Sequence, residues 1–465
     1  MRPLLVLLAS LAVFTPALAA ETPAPSTDQP VLRTLAAEVD PKALEASIRS
    51  MVGFGTRHTL SDQTSRTRGI GAARAWAATR FGEISQACGG CILTVMPYDT
   101  VTGRRVPTPT KVMNVLGVQR GTTDPDRVIL IAGHLDSRVT DVMDFTSDAP
   151  GANDDASGVA AVLEAARVLS KHKFPATLVY AVLSGEEQGL LGGKILANHA
   201  RAEGWKIEAD LNNDIIGNSH GQSGVMNNTQ VRVFSEGTKA VETPEQANSR
   251  RYNGGEVDSP SRNVARYLDG LADRYLSNFD VVMVYRTDRY GRGGDQVPLL
   301  EAGYPAVRVT EAAENYDRQH QNLRTENGKA YGDTIEGVDF AYLAQVTRLN
   351  VVALASLASA PAPPSGVRIE GAVSPDTKVS WTATPGAAGY RVWWRGTTDP
   401  QWRYSRWVGQ GTSLVLKDVV IDDWFFGVSS VSADGWESPV VFPGAAGAFE
   451  SPPPAPAAAA VATPK

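Results

Sequence analysis

The sequence predicts an α/β fold, a mostly parallel mixed sheet flanked by helices, with a C-terminal all-β sandwich after it. Three observations carry this reading. Continuous apolar, β-rich runs alternate with segments of helical period through the first 360 residues, the pattern of a sheet covered on both faces. Several of those runs end directly in His, Asp or Glu beside glycine, as expected of a crevice at the carboxyl ends of strands. Past Pro361-Ala362-Pro363-Pro364 the composition changes abruptly, and seven of the nine tryptophans lie from Trp381 onward.

With 465 residues, 43% of them apolar, the chain is long enough for two or three domains. Its 44 basic and 50 acidic side chains give a formal net charge of -6. That leaves no basic excess to neutralise phosphates, so nucleic acid is not an expected partner.

The elements follow in order. Arg2, an apolar run over residues 4–14 and Ala17-Leu18-Ala19 fit a secretory signal over residues 1–20, and the mature protein is expected to be secreted or periplasmic. No later run reaches the roughly 20 apolar residues of a transmembrane span. Residues 21–40, rich in Pro, Ala and Thr, read as a leader or flexible arm. A helix begins near Pro41, and Ala73, Trp76, Ala77, Phe81 and Ile84 place a second helix over residues 71–84. Cys88 and Cys91, the only cysteines, are expected to pair in an oxidising compartment, because residues 92–96 read as a strand and a redox thiol pair would open a helix.

Strands are expected over 128–132, 177–183, 281–285 and 306–309, and helices over 156–170, 190–200 and 338–357. Residues 361–364 then read as a stiff linker. Beyond it, alternating runs at 378–381, 390–394, 413–416 and 425–431 are separated by Gly, Pro and Asp turns, the rhythm of a β-sandwich over residues 365–447. Residues 448–465 are Pro/Ala-rich and expected to be disordered.

The chemistry sits in five segments. Gly133-His134-Leu135-Asp136-Ser137 follows the first strand, with Asp136 placed to orient the His134 imidazole. Gly151-Ala152-Asn153-Asp154-Asp155 opens a helix, where one carboxylate alone would be an ordinary N-cap. Ser184-Gly185-Glu186-Glu187-Gln188-Gly189 follows the second strand, and adjacent glutamates there point in different directions. Asp214 closes the run 209–217, and His320 lies in Tyr316-Asp317-Arg318-Gln319-His320. His134, Asp154, Glu187, Asp214 and His320 together supply the nitrogen and oxygen donors for two zinc ions, with Glu186 left over as a base.

In this order, His-x-Asp, Asn-Asp-Asp, Glu-Glu, Asp and His, residues 41–360 resemble the M28 family of di-zinc peptidases. The resemblance implies an α/β zinc-peptidase fold, two Zn2+ ions, and peptide or protein substrates. It implies that Asp154 bridges the metals, that His134 and Asp214 complete one site, and that Glu187 and His320 complete the other. Glu186 would be general acid and base, and the activity most often that of an aminopeptidase. Two departures stand out: Gly294-Asp295-Gln296 replaces the usual Ser-Asp-His, and Asp333-Thr334 follows His320 only after residues 321–332. Tyr290 and Tyr316 are both candidates for the family's oxyanion tyrosine. Residues 365–447 resemble a fibronectin type III module through Val379-Ser380-Trp381, Gly389-Tyr390-Arg391-Val392 and the run 424–435, with Trp424 where such modules carry a tyrosine.

Three other readings have sequence motives. A carboxypeptidase of the same family would draw on Arg286, Arg289, Arg292 and Arg308 for a carboxylate clamp. A serine hydrolase would use Ser219 in Gly217-Asn218-Ser219-His220-Gly221, although no helical period follows that serine. A non-catalytic exported binding protein would present Trp393, Trp394, Trp402 and Trp407 to a polymer or surface. Because every candidate ligand precedes Pro361, the C-terminal module is expected to be dispensable for hydrolysis of small peptides.

Overall fold

The computed structural model describes residues 23–450. The predicted signal and most of the predicted C-terminal tail lie outside them. An eight-stranded mixed sheet forms the centre, in the spatial order Leu93–Val95, Val115–Gln119, Ala176–Leu183, Asp124–His134, Lys206–Asn213, Ala306–Glu311, Gln230–Phe234 and Asp280–Val284. The four strands from Ala176–Leu183 to Ala306–Glu311 are mutually parallel. Two further strands flank them on each side, the inner one antiparallel to its neighbour among the four.

Successive residues of a strand point to opposite faces, and the core obeys that period. Ile129 and Ile131 join Leu178, Tyr180 and Val182 on one face, beneath the helices Ala156–Leu169 and Phe340–Ser359. Val128, Leu130 and Ala132 join Val179, Ala181 and Leu183 on the other, beneath Leu191–Ala202. The helix Phe340–Ser359 is long and apolar enough to cross a membrane, yet it is mostly buried in this core. Cys88 and Cys91 form a disulfide.

The arm expected over residues 21–40 contains a helix, Pro30–Ala37, with Leu32, Leu35 and Ala36 buried in the main core. Pro30 pre-sets the first turn. The surrounding Pro/Ala/Thr composition hid a short apolar stripe.

Beyond Ala360, two three-stranded antiparallel sheets pack together: Ser365–Glu370, Thr377–Thr382 and Ser413–Leu416 in one, and Gly389–Gly396, Tyr404–Gly409 and Trp424–Val431 in the other. Val379, Trp381, Tyr390, Val392, Phe426 and Val428 fill the space between. Residues 361–364 do not hold this unit away from the rest, since Pro361 and Pro364 are themselves buried. The helix Pro260–Tyr275 is the docking platform. Arg395, at 1% side-chain exposure, gives both oxygens of the fully buried Asp258 a hydrogen bond, at 2.7 and 3.0 Å, and Arg266 adds a third at 2.8 Å. Trp402 Nε1 donates to Asn263, Tyr267 donates to the Glu437 carbonyl, and Trp436 packs on the main core. Trp393, Trp394, Trp402 and Trp407 are all half-buried.

Candidate metal centre

All five predicted ligands meet in the crevice at the carboxyl ends of the parallel strands. His134 ends its strand, Glu187 and Asp214 stand just past theirs, Asp154 precedes the helix Ala156–Leu169, and His320 lies in the loop after Ala306–Glu311. His134 Nε2 lies 3.2 Å from Asp154 Oδ1 and 3.8 Å from Asp214 Oδ1. His320 Nε2 lies 2.9 Å from Asp154 Oδ2 and 2.9 Å from Glu187 Oε1. Asp154 thus offers one oxygen to each group.

Zinc–ligand distances of about 2.1 Å at tetrahedral angles put two ligand atoms roughly 3.4 Å apart. The His134 group brackets that spacing. Asp154 Oδ2 and Glu187 Oε1 are buried and accept no hydrogen bond, despite the nearby imidazole. Buried carboxylate oxygens are ordinarily matched by donors or metals. The donor set, the spacing of the His134 group and these two oxygens therefore fit zinc.

Two glycines make the close approach possible. A Cβ at Gly133 would stand 2.6 Å from the Gly158 carbonyl carbon, and one at Gly158 would stand 2.4 Å from Asp155 Oδ2. The helix start can therefore abut the strand end. Asp155 is the N-cap of that helix, accepting from Gly158 N–H, and it also accepts from the backbone of His134 and Ile215. One side chain ties three ligand-bearing segments together.

Asp136 was expected to hold the His134 ring with its carboxylate. Instead the Asp136 backbone carbonyl meets His134 Nδ1 at 3.0 Å, and the carboxylate stands 3.8 Å away. That carboxylate accepts the N–H groups of Gly185, Glu186 and Glu187 and the Thr59 hydroxyl. It fixes the glutamate turn, where Gly185 adopts φ 84°. The Glu186 side chain belongs to neither ligand group and is partly exposed.

Several anchors escaped the sequence reading. Asp333 accepts the N–H groups of Asn153 and Asp154. The delay between His320 and Asp333 is a small hairpin, Arg324–Glu326 with Lys329–Tyr331, that returns the chain to the site. Arg308 NH1 binds Asp214 Oδ2 at 2.5 Å, and Arg138 Nε binds Glu187 Oε2 at 2.7 Å.

Burial opposes ionisation of Asp154, but His320 and His134 overcome it and hold the carboxyl well below its usual range. Burial likewise opposes charge on Asp214, where Arg308 prevails and keeps the carboxyl low. At Glu186 burial wins over the attraction of His134, with Glu187 and Asp214 adding repulsion, and the carboxyl is pushed well up.

Tyr290 and Tyr316 are both exposed, at 87% and 54%. In the Gly294-Asp295-Gln296 segment, Asp295 accepts the Gly193 N–H and Gln296 donates to Asp288. Ser219 is fully buried, its Oγ donating to Asp339 at 2.6 Å, and no helix follows it. A nucleophile elbow is absent there.

Residues 114–338 match the model of peptidase family M28. A probable zinc metalloprotease of Leptosphaeria maculans is 43% identical over 425 residues, covering 90% of this chain and 98% of the relative. The chain belongs to peptidase family M28. This M28 peptidase is 42% identical over 430 residues to a probable zinc metalloprotease of Pyrenophora teres, covering 90% of this chain and 88% of that one. Its fold is shared with the Legionella pneumophila LapA aminopeptidase, at 19% identity and a TM-score of 0.51 over 74% of this chain and 78% of the other. LapB of the same organism gives 17% and 0.51 over 72% and 76%. As a member of this family it is a metallopeptidase, a hydrolase acting on peptides or proteins.

Proposed function

We propose that this peptidase is an exported two-zinc aminopeptidase. The observation that carries the dinuclear reading is Asp154, whose two oxygens serve separate ligand groups. When bound, zinc ions acidify water and polarise a substrate carbonyl. Glu186 takes a proton from the attacking water and returns it to the leaving amine. Asp136 holds Glu186 at its station through the backbone of the turn. Asp155, Asp333, Arg138 and Arg308 hold the ligands.

The choice of chain end follows from charge. A carboxypeptidase needs a free cationic clamp, and its candidates are committed elsewhere. Arg308 is buried on Asp214, and Arg289 and Arg292 share Glu314. Arg286 lies over the exposed Tyr290 ring. Glu186, which belongs to neither ligand group, instead leaves a carboxylate suited to an ammonium group. The names of the relatives support zinc-dependent proteolysis, and the one support for the N-terminal end among the comparisons is a fold neighbour that is an aminopeptidase.

Export rests on the signal pattern of residues 1–20 and agrees with the disulfide. Residues 41–360 form the peptidase unit and residues 365–447 a fibronectin type III-like module, a reading supported by its two antiparallel sheets. Its tryptophans pack into its core and docking face, which disfavours a stacking platform for polymers.

Peptides blocked at one end test the proposal. Cleavage should stop on N-acetylated peptides and continue on C-terminal amides, and chelation should abolish it. The reverse pattern of blocking makes the protein a carboxypeptidase, and chelator-resistant activity with fluorophosphonate labelling of Ser219 makes it a serine hydrolase.

A further inference from the structure

Arg57 is fully buried, and among the described residues its guanidinium makes hydrogen bonds to backbone carbonyls alone. Nε donates to Leu135 at 2.7 Å and NH2 to Gly151 at 2.9 Å, while NH1 donates to Pro150 and, at 3.4 Å, to Met51. Arg308 and Arg395, buried to the same degree, are instead spent on carboxylates. Arg57 lies ahead of residues 114–338, the stretch that matches the family.

The carbonyls it takes belong to two ligand-bearing segments. Leu135 follows His134, and Pro150 and Gly151 open the loop that delivers Asp154. None of the three lies in a helix or strand, so their buried acceptors depend on a partner from elsewhere. The Arg57 N–H also donates to Ser137 Oγ at 3.1 Å, and that hydroxyl donates to the Ala149 carbonyl at 2.7 Å. Asp333 accepts the N–H groups of Asn153 and Asp154, so the loop has its donors matched by one side chain and its acceptors by another. Gly151 makes room for this: it sits at φ 52°, and a Cβ there would stand 2.8 Å from Arg57 NH2. Across the join, His134 Nε2 and Asp154 Oδ1 face each other at 3.2 Å.

We infer that Arg57 is a positioning residue for the metal centre, whose guanidinium sets the separation between the His134 strand end and the Asp154 loop. This rests on the reading of His134 and Asp154 as zinc ligands, and not on the number of ions. The planar fork is what the task requires, because its separate nitrogens reach carbonyls on two segments at once. A lysine ammonium has one nitrogen and leaves part of that set unmatched, so the loop relaxes away from the strand end. Asp155 still ties the His134 backbone to the helix start, which keeps the fold and confines the effect to the spacing of the ligands.

The test compares full-length Arg57→Lys, Arg57→Gln and Arg395→Ala with the wild type. Each is read by unfolding in urea, by zinc occupancy over graded free zinc set by a competing chelator, and by kcat and KM on a short peptide at saturating zinc. Arg57→Lys should fold and need at least about tenfold more free zinc for half occupancy, the lower end of what outer partners do to metal affinity. At saturating zinc it should lose kcat more than it changes KM. Arg57→Gln should move the same way and further. Arg395→Ala, which removes an equally buried arginine far from the ligands, should lose stability at unchanged zinc affinity. Arg57 variants that lose stability while zinc affinity and kcat hold overturn the proposal, as does an Arg395→Ala that loosens zinc as much as they do. Failure of both Arg57 variants to fold in saturating zinc also overturns it, since Arg57 is then a folding residue. A wild type that binds no zinc overturns instead the ligand reading on which the proposal rests.

Discussion

The metal crevice and the docking contact of the C-terminal sheets are both built from buried charge, and they treat it in opposite ways. At the contact, each oxygen of Asp258 is met by an arginine N–H, with Arg266 and Arg395 sharing one carboxylate. In the crevice, Asp154 Oδ2 and Glu187 Oε1 are buried without hydrogen bonds. Asp210, Glu208 and Asp295 also carry unmatched oxygens, but none of them joins an imidazole in a ligand group. A matched buried ion pair supports structure, whereas unmatched oxygens converging with an imidazole mark a place kept for a cation.

Substitutions that erase this contrast should hurt most. Asp154→Ala removes the one side chain common to both groups, and it should lower zinc content at both positions and abolish turnover, read by metal analysis and peptide hydrolysis. Retention of two zinc ions would remove Asp154 from its shared role. Glu186→Gln comes next: zinc content should hold while turnover falls at least about a hundredfold, the scale for losing a general base. Zinc loss in this variant would make Glu186 a ligand instead.

At the docking contact the effect should appear as stability. Arg395→Ala leaves Asp258 with Arg266 alone, so unfolding in urea should cost about 3 kcal/mol less, the lower end for breaking a buried pair. Zinc content of the folded variant should not change. A loss below about 1 kcal/mol would mean that the sheets dock without this pair. The expected independence of residues 361–465 is modified accordingly, because their removal uncovers the apolar and charged surface around the helix Pro260–Tyr275.

Much of the centre was legible because its residues sit where patterns end. His134 and Glu187 follow apolar runs, and Asp154 precedes a helical one, so chain order read together with the M28 resemblance brought them together. The strand Lys206–Asn213 was harder to see, since Glu208, Asp210, Asn212 and Asn213 are buried polar residues that break the apolar rhythm. Partners accompany the burial of three of them: Arg127 takes Glu208, Gln296 takes Asn212 and Asn350 takes Asn213. Arg138 was illegible for another reason, lying 49 residues from Glu187 and 182 from His320 with no period to connect them. The Asp136 carboxylate was misassigned because adjacency to His134 suggested a contact that the backbone carbonyl makes instead.

The central claim is that five side chains from five segments hold two zinc ions that hydrolysis requires. Zinc counted per chain in the purified protein, then after chelation and stepwise return alongside peptide turnover, tests it most directly. The account predicts two zinc ions, loss of turnover with their removal, and recovery as they return. Full turnover by zinc-free protein, or a second ion that never binds, would contradict it.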